Sequence, residues 1–340
     1  MDSNKEGGCW YVGLSKLDRL VEDSLVLANT GVRAINDYGG SDTPEATRII
    51  DSFFKPQLIQ ELYQIRIQFS KVRDWLKDGG PVNDRQHNEA RLFCDDSWAE
   101  KKKLHDNAVD AELNGLNDLY GNPIQVMDIP GVLGDLQAKS EQLGILPNQL
   151  AVYLNLNTRS YFVDQKYGLS SIYYGFCENS EMHGMTIHWT GAGYSSLTIC
   201  PSAFGQGRRW RRWEYQDLDS TLLQPVPLSK VAQNPFDPAL QDIATLRPSV
   251  YVFFHELFHL VLGSESTYPD GGEFYDTGSI LGAHFSQAIR NPESFVRLAI
   301  GYERTRKVPP DANGHRVEFF TGYATQGYDV LEPLPVPSAK

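Results

Sequence analysis

The sequence has no hydrophobic run long enough to cross a membrane. Nowhere in its 340 residues do about 18 apolar residues follow one another, which is the shortest stretch expected for a transmembrane helix. The first residues, Met1-Asp-Ser-Asn-Lys-Glu-Gly-Gly, contain no hydrophobic core of a secretory leader. We therefore expect no membrane insertion, and either a cytoplasmic protein or a secreted one whose leader was removed before this numbering begins.

The chain also lacks an excess of positive charge. Its 31 Lys and Arg residues against 43 Asp and Glu residues give a formal net charge of −12, and an acidic chain repels nucleic-acid phosphates and anionic membranes. The local exception is the segment 208–213, Arg-Arg-Trp-Arg-Arg-Trp. It is either an exposed loop with Arg stacked on Trp or a contact to an anionic substrate or partner. We expect neither nucleic acid nor a membrane as a general partner.

Cysteine is scarce. The chain has four cysteines, Cys9, Cys94, Cys177 and Cys200, too few for a fold held together mainly by disulfides, although their even number allows two bridges. Cys177 and Cys200 lie in strand-like runs and could pair with each other. Disulfide formation depends on the compartment, so the sequence leaves the state of all four open.

The apolar residues divide the chain into a helical first part and a mixed second part. The run 14–36 has helical spacing, and Pro56 divides the run 44–76 into two helices. Later strand-like runs predict one sheet of four or five strands, at 151–156, 160–163, 171–176, 185–189 and 196–200. We expect an α+β chain, with a helical region 1–122 and a second region 123–340, or one continuous domain.

Three further segments have distinct patterns. Residues 79–122 are polar and charged and predict surface loops around short elements. Residues 205–247 form a long connection with little periodicity, typical of a lid or binding loop. The sequence Asn291-Pro292-Glu293 predicts the start of a final helix, because proline suits the first turn.

The strongest local signal is His255-Glu256-Leu257-Phe258-His259, an H-E-x-x-H motif within the apolar run 249–263. Residues four apart lie on one face of a helix, so the imidazoles of His255 and His259 can converge on one point. Glu256 is rotated by about 100° from His255. Its carboxylate would lie beside that point, where it could take a proton from metal-bound water.

The alternative is a pair of core histidines that arose by chance among the eight histidines of the chain. Phe-Phe precedes the motif and Leu-Val-Leu follows it, so the helix is expected to be buried. Burying two imidazoles and a carboxylate costs free energy unless another group compensates them. A divalent metal ion would do so, and the motif therefore favours a metal site.

A catalytic zinc site needs a third protein ligand and an open position. The acidic candidates after His259 are Glu265, Asp270, Glu273 and Asp276. Glu265 would need a very tight turn, and Asp276 precedes a helical run whose N-cap it could be. Glu273 follows Gly271-Gly272, which lets the chain turn back over the metal, and Tyr275 could then steady an oxyanion. We favour Glu273, with Asp270 and Asp276 as the alternatives.

These residues resemble the deuterolysin or aspzincin metalloendopeptidases, including the fungal relatives called lysine-specific metalloendopeptidase-like proteins. That family combines H-E-x-x-H with a Gly-Thr-x-Asp-x-x-Tyr-Gly motif that supplies an Asp ligand and a Tyr. Here Ile199-Cys-Pro-Ser-Ala-Phe204, before the motif, and Asn291-Pro-Glu-Ser-Phe295, after it, are similar to family segments. The resemblance is loose over most of the chain and specific from about residue 199 to 303.

The chain departs from the family at the third ligand. The segment most similar to the Gly-Thr-x-Asp-x-x-Tyr-Gly motif is Ser266-Thr-Tyr-Pro-Asp-Gly-Gly-Glu-Phe-Tyr-Asp276. The family tyrosine is carried over to Tyr275, whereas the family aspartate falls on Asp270 or on Glu273. The family is also largely secreted and bridged by disulfides, whereas this chain has few cysteines.

Motif and resemblance together predict a zinc-dependent endopeptidase that acts on a peptide or protein. The resemblance implies a zincin-like α+β fold with a helical N-terminal part, a mixed or antiparallel sheet, the H-E-x-x-H helix and C-terminal helices. Zn²⁺ would be held by His255, His259 and Glu273. Glu256 would be the general base on a metal-bound water, and Tyr275 would bind the oxyanion.

Two other functions fit the same residues. One is a repurposed metalloenzyme of a fungal-type biosynthetic pathway, acting on a small molecule as a cyclase, lyase or hydrolase. The absent leader, the altered third-ligand motif and the long segment 205–247 favour it. The other is a non-catalytic binding protein with a vestigial site. The sequence leaves the substrate, its side-chain preference and the oligomeric state open.

Overall fold

A computed structural model of the chain shows two compact units. It describes residues 7–9, 12–80, 89–110, 112–156, 159–163, 177, 183–189, 194–204, 214–234, 237–263 and 266–327. The first unit comprises Met1–Gly13 and Arg91–Trp213, and the second comprises Leu14–Ala90 and Glu214–Lys340. This division differs from the predicted boundary at residue 122, because periodicity does not reveal which distant segments pack together.

Helices and small sheets alternate along the described residues, and this mixed content agrees with the predicted α+β class. In chain order the elements are α1 (Leu14–Asp37), α2 (Pro44–Phe53), α3 (Ile59–Asp78), β1 (Glu89–Phe93), β2 (Ala99–Lys102), α4 (Pro130–Leu143), β3 (Val152–Asn155), β4 (Ser160–Val163), β5 (Gly184–Trp189), β6 (Tyr194–Ile199), α5 (Leu228–Gln233), α6 (Tyr251–Leu262), α7 (Thr277–Gly282), α8 (Phe285–Ala288), α9 (Pro292–Lys307), β7 (Val317–Glu318) and β8 (Thr325–Gln326). Within the described ranges, no helix combines the length and apolarity needed to span a bilayer.

The second unit is mainly helical, as its sequence pattern indicates. Helix α1 confirms the helical spacing of the run 14–36; it buries Leu17 and Leu20 but exposes Val21. Pro44 begins α2, where its missing N–H has no intrahelical partner to lose. The residues around Pro56 separate α2 from α3, as predicted.

Helix α9 forms the centre of this unit. It packs against α1, α2 and α6, and its residues from Pro292 to Thr305 are buried. The rings of Phe69 in α3, Phe258 in α6 and Phe295 in α9 lie with centroids 4.7 to 5.7 Å apart. Such pairs contribute about 0.5–1.5 kcal/mol each beyond their burial. Because Phe258 lies within the H-E-x-x-H segment, this cluster fixes the motif helix to the core.

The first unit contains two three-stranded sheets among the residues that the structure describes, ordered β1–β6–β5 and β2–β3–β4. Strand β3 pairs antiparallel with both β2 and β4, and β5 pairs antiparallel with β6. The buried ring of Trp98 stacks on Phe93 and Phe162, with centroids 5.1 and 5.6 Å away. These aromatic contacts form the core of the unit.

The prediction of one sheet is wrong, because β3 and β4 belong to one sheet and β5 and β6 to the other. The segment 79–122 was predicted to be surface loops around short elements, and β1 and β2 are two such elements. Strand β2 reads Ala-Glu-Lys-Lys and lies at the edge of its sheet, where charged side chains are favoured because they discourage further pairing. The predicted strand 171–176 and the Arg/Trp segment 208–213 lie outside the described residues.

Two disulfides lie in the first unit. They join Cys9 to Cys94 and Cys177 to Cys200, with Cα–Cα distances of 4.9 and 5.1 Å, inside the usual range of about 4.4–6.8 Å. The pairing of Cys177 with Cys200 is the one that the strand-like runs suggested. Cys200, however, directly follows β6 and is not inside it, and the predicted strand before Cys177 lies outside the described residues.

Candidate metal centre

Helix α6 carries the motif and is buried at every residue except Val252. The apolar residues around the motif explain this burial, since they pack against α3 and α9. The helix ends at Gly263, whose φ of 84° lies in the region that glycine adopts most easily. This turn leads the chain away from α6 towards the segment that contains Glu273.

The side chains of His255, His259 and Glu273 form one cluster. Their ligand atoms all lie within 4.8 Å of one another. Nε2 of His255 is 3.2 Å from Oε2 of Glu273, and Nε2 of His259 is 3.4 Å from Oε1 of the same carboxylate. The spacing of four residues on α6 thus directs both imidazoles towards one point. The carboxylate of Glu273 lies near both Nε2 atoms.

Glu273, rather than its acidic neighbours, lies with the histidines. The side chain of Asp270 is 96% exposed and lies 3.3 Å from Nη1 of Arg290. Asp276 accepts a hydrogen bond from the backbone N–H of Ser279 at 2.8 Å and is the N-cap of α7, as its position before a helical run suggested. Glu265 lies outside the described residues. Among the described candidates, Glu273 therefore has the position required of a third ligand.

Glu273 is held in its ionised form. Burial by itself raises the pKa of its carboxyl, but the nearby imidazoles of His255 and His259 outweigh burial and hold the pKa well below its usual range. Two imidazoles and one carboxylate form the His₂Glu donor set of catalytic zinc sites, which leaves one tetrahedral position open. The three side chains could therefore hold a divalent metal ion.

Tyr275 contacts this cluster, and Glu256 is next to one of its residues in the chain. Glu256 follows His255 on α6 and is only 6% exposed. Tyr275 is 46% exposed, its hydroxyl donates a hydrogen bond to Oε2 of Glu273, and its ring stacks on His255 at a centroid distance of 5.9 Å. The phenol thus lies between the candidate ligands and the solvent.

A threonine behind His259 determines which ring nitrogen faces the cluster. Oγ1 of Thr267 donates its single proton to the carbonyl of Gly263 at 2.8 Å. It also lies 2.8 Å from Nδ1 of His259, and there it can only accept. Nδ1 must therefore carry a proton, so Nε2, which faces Glu273, is the ring nitrogen that would bind a metal.

Glu293 contacts Nδ1 of His255, as Thr267 contacts Nδ1 of His259. Its Oε2 lies 3.3 Å from Nδ1 of His255, while Nε of Arg297 donates to Oε1 at 2.7 Å and the hydroxyl of Tyr251 donates to Oε1 as well. Burial raises the pKa of Glu293, and the charge of Arg297 opposes that effect. An ionised Glu293 could only accept from Nδ1 of His255, and Nε2 of the same ring faces Glu273.

Sequence reasoning did not identify Thr267 or Glu293 as part of the site. Thr267 follows His259 by eight residues, a separation with no periodic meaning outside a helix. Glu293 was interpreted only as part of a helix start, where an acidic residue is already explained by the helix dipole. A search for a carboxylate behind each motif histidine could have suggested Glu293.

No protein-family model, no curated protein and no solved structure matches the chain. A functional proposal therefore depends on the contacts and chemistry of the site itself.

Proposed function

We propose that the chain is a zinc-dependent hydrolase of the metallopeptidase type that cleaves peptide bonds. The observation that carries this proposal is the convergence of Nε2 of His255, Nε2 of His259 and the carboxylate of Glu273. The contacts at the opposite ring nitrogens hold both Nε2 atoms towards the cluster. The same donor set occurs in the peptidases thermolysin and carboxypeptidase A.

The residues around the ligands supply the other functions that peptide hydrolysis needs. Bound Zn²⁺ would contribute Lewis acidity, which polarises a carbonyl and lowers the pKa of water to about 7. The carboxylate of Glu256 would take the proton from the attacking water and pass it to the leaving amine. The hydroxyl of Tyr275 would donate to the carbonyl oxygen as negative charge develops there.

The exposed side of the site favours a polypeptide over an enclosed small molecule. Tyr268, Asp270 and Tyr275 lie on the segment that surrounds Glu273 and are 38%, 96% and 46% exposed. An extended peptide can lie across such a surface, whereas small-molecule sites usually bury most of their ligand. This supports the peptidase over the biosynthetic metalloenzyme.

The test is digestion of denatured casein by the zinc-loaded protein, with and without a chelator. We expect cleavage that the chelator stops and added Zn²⁺ restores. Tight metal binding without cleavage would favour a small-molecule metalloenzyme. A protein that binds no metal would favour the non-catalytic alternative, and either of these results would contradict the peptidase.

We also propose that the protein folds in an oxidising compartment. Its two disulfides support this, because such bonds are rare in the cytosol, where thiols are kept reduced. Alkylation of protein from its native source, without prior reduction, should therefore label none of the four cysteines. Labelling of all four would indicate a reducing compartment instead.

A further inference from the structure

The first turns of helix α9 contact two sides of the candidate metal centre. We propose that Asn291, Glu293 and Arg297 are positioning residues that hold two of the three ligands in place. Glu293 would fix the imidazole of His255, while Asn291 and Arg297 would fix the backbone that carries Glu273. This inference rests on the proposed metal site, which the experiment below tests separately.

Glu293 leaves the ring of His255 little freedom to rotate. Its two carboxylate oxygens have different partners, since Oε2 faces Nδ1 of His255 and Oε1 accepts from Arg297 and Tyr251. Glu293 is completely buried, so water cannot replace a lost partner without structural change. The Glu293 side chain therefore restricts the orientation of the His255 ring.

Asn291 holds the backbone next to Glu273. Its Oδ1 accepts a hydrogen bond from the N–H of Phe274, and its Nδ2 donates to the carbonyl of Phe274, both at 3.1 Å. A side chain that bonds both backbone groups of one residue fixes the peptide planes on either side of it. Because Glu273 immediately precedes Phe274, this pairing also limits where the Glu273 carboxylate can lie.

Arg297 joins the two halves of this arrangement. Its Nε donates to Oε1 of Glu293 at 2.7 Å, and its Nη2 donates to the carbonyl of Tyr275 at 2.6 Å. Its side chain is 1% exposed, and the planar guanidinium keeps these donors in a fixed relative geometry. A displacement behind His255 would therefore be transmitted to the segment that carries Glu273.

Helix α9 also provides a matched control residue. Glu303 is a second buried glutamate on this helix, 5% exposed. It accepts a hydrogen bond from Oγ1 of Thr30 at 2.6 Å and forms ion pairs with Arg306 and Lys307. These partners are separate from the cluster, so Glu303→Gln makes the same chemical change in the same helix without altering a contact to a ligand.

Zinc affinity and the visible spectrum of the Co²⁺-loaded protein test the proposal. Both Glu293→Gln and Asn291→Ala should weaken Zn²⁺ binding about 10- to 100-fold, the usual cost of removing a residue that orients a ligand. Both should also shift the Co²⁺ absorption bands, since these report ligand geometry. Glu303→Gln should lower thermal stability but keep the affinity and the spectrum of the parent.

Parent-like zinc affinity and Co²⁺ bands in both variants would overturn the positioning role. The proposed metal site would be unaffected by that result. Glu293→Gln could fail to fold, because it removes the closer of the two ionic partners of the buried Arg297 and leaves Asp242 at 3.8 Å. In that case the zinc affinity and the Co²⁺ spectrum of Asn291→Ala alone test the positioning role. If the parent protein itself binds no metal, the proposed function fails, and the positioning role fails with it.

Discussion

Replacing Glu256 with glutamine should leave zinc binding intact and lower peptide turnover by about 100- to 10,000-fold. Glutamine has nearly the same shape as glutamate but cannot take up a proton from water. Glu256 is not one of the three clustered residues, so the donor set is unchanged. We expect the loss in kcat, with KM nearly constant, because proton transfer occurs after the substrate has bound.

The measurement is the steady-state cleavage of a fluorogenic peptide, with the zinc content of each sample determined in parallel. Glu303→Gln is the matched control, because Glu303 is a buried glutamate of the same unit, 5% exposed against 6% for Glu256. It should retain the kcat of the parent. Parent-like turnover by zinc-loaded Glu256→Gln would show that Glu256 is not the general base.

Removing a ligand should have a larger effect on the metal than removing any supporting residue. His259→Ala and Glu273→Ala each delete one of three donors, so we expect zinc affinity to fall by more than the roughly 100-fold that marks the upper end for supporting contacts. Glu273→Ala also removes the buried carboxylate that the two histidines hold ionised. Competition with a chromophoric chelator measures the dissociation constants.

Asp270→Ala and Asp276→Ala are the controls for this experiment, since both carboxylates were candidates for the third ligand. Asp270 is exposed beside Arg290, and Asp276 caps α7. Both variants should bind zinc with the affinity of the parent. Lost affinity in Asp270→Ala, combined with parent-like affinity in Glu273→Ala, would transfer the third ligand to Asp270.

Helix α6 could be predicted because its signals are local. The apolar run 249–263 predicts a buried helix, and the observed helix is Tyr251–Leu262. The spacing of His255 and His259 already places both imidazoles on one face. The run 249–263 alone was enough to predict two of the three proposed ligands, His255 and His259.

The third ligand needed tertiary information. Gly271-Gly272 indicated that the chain could turn back over the helix, but this left three described acidic residues as candidates. The choice is made by the path of the backbone through residues 273–275, which Asn291 and Arg297 hold from α9. Those contacts join residues 17 to 22 positions apart in the chain, and no periodic pattern predicts them.

The order of strands in the two sheets likewise could not be predicted from local sequence patterns. Period-two spacing located β3 and β6 to within a few residues, because alternation of side chains is a local property. It did not show that β6 lies between β5 and β1, or that β3 lies between β2 and β4. Strands such as β2, with charged residues at a sheet edge, lack the apolar alternation on which the prediction depended.

Zinc K-edge X-ray absorption of the protein loaded with one equivalent of Zn²⁺ tests most directly whether His255, His259 and Glu273 share one ion. We predict a shell of nitrogen and oxygen at about 2.0–2.2 Å with the multiple scattering of two imidazoles. In His259→Ala, one imidazole contribution should disappear. A spectrum without imidazole scattering, or one that is unchanged in His259→Ala, would contradict the proposed metal centre.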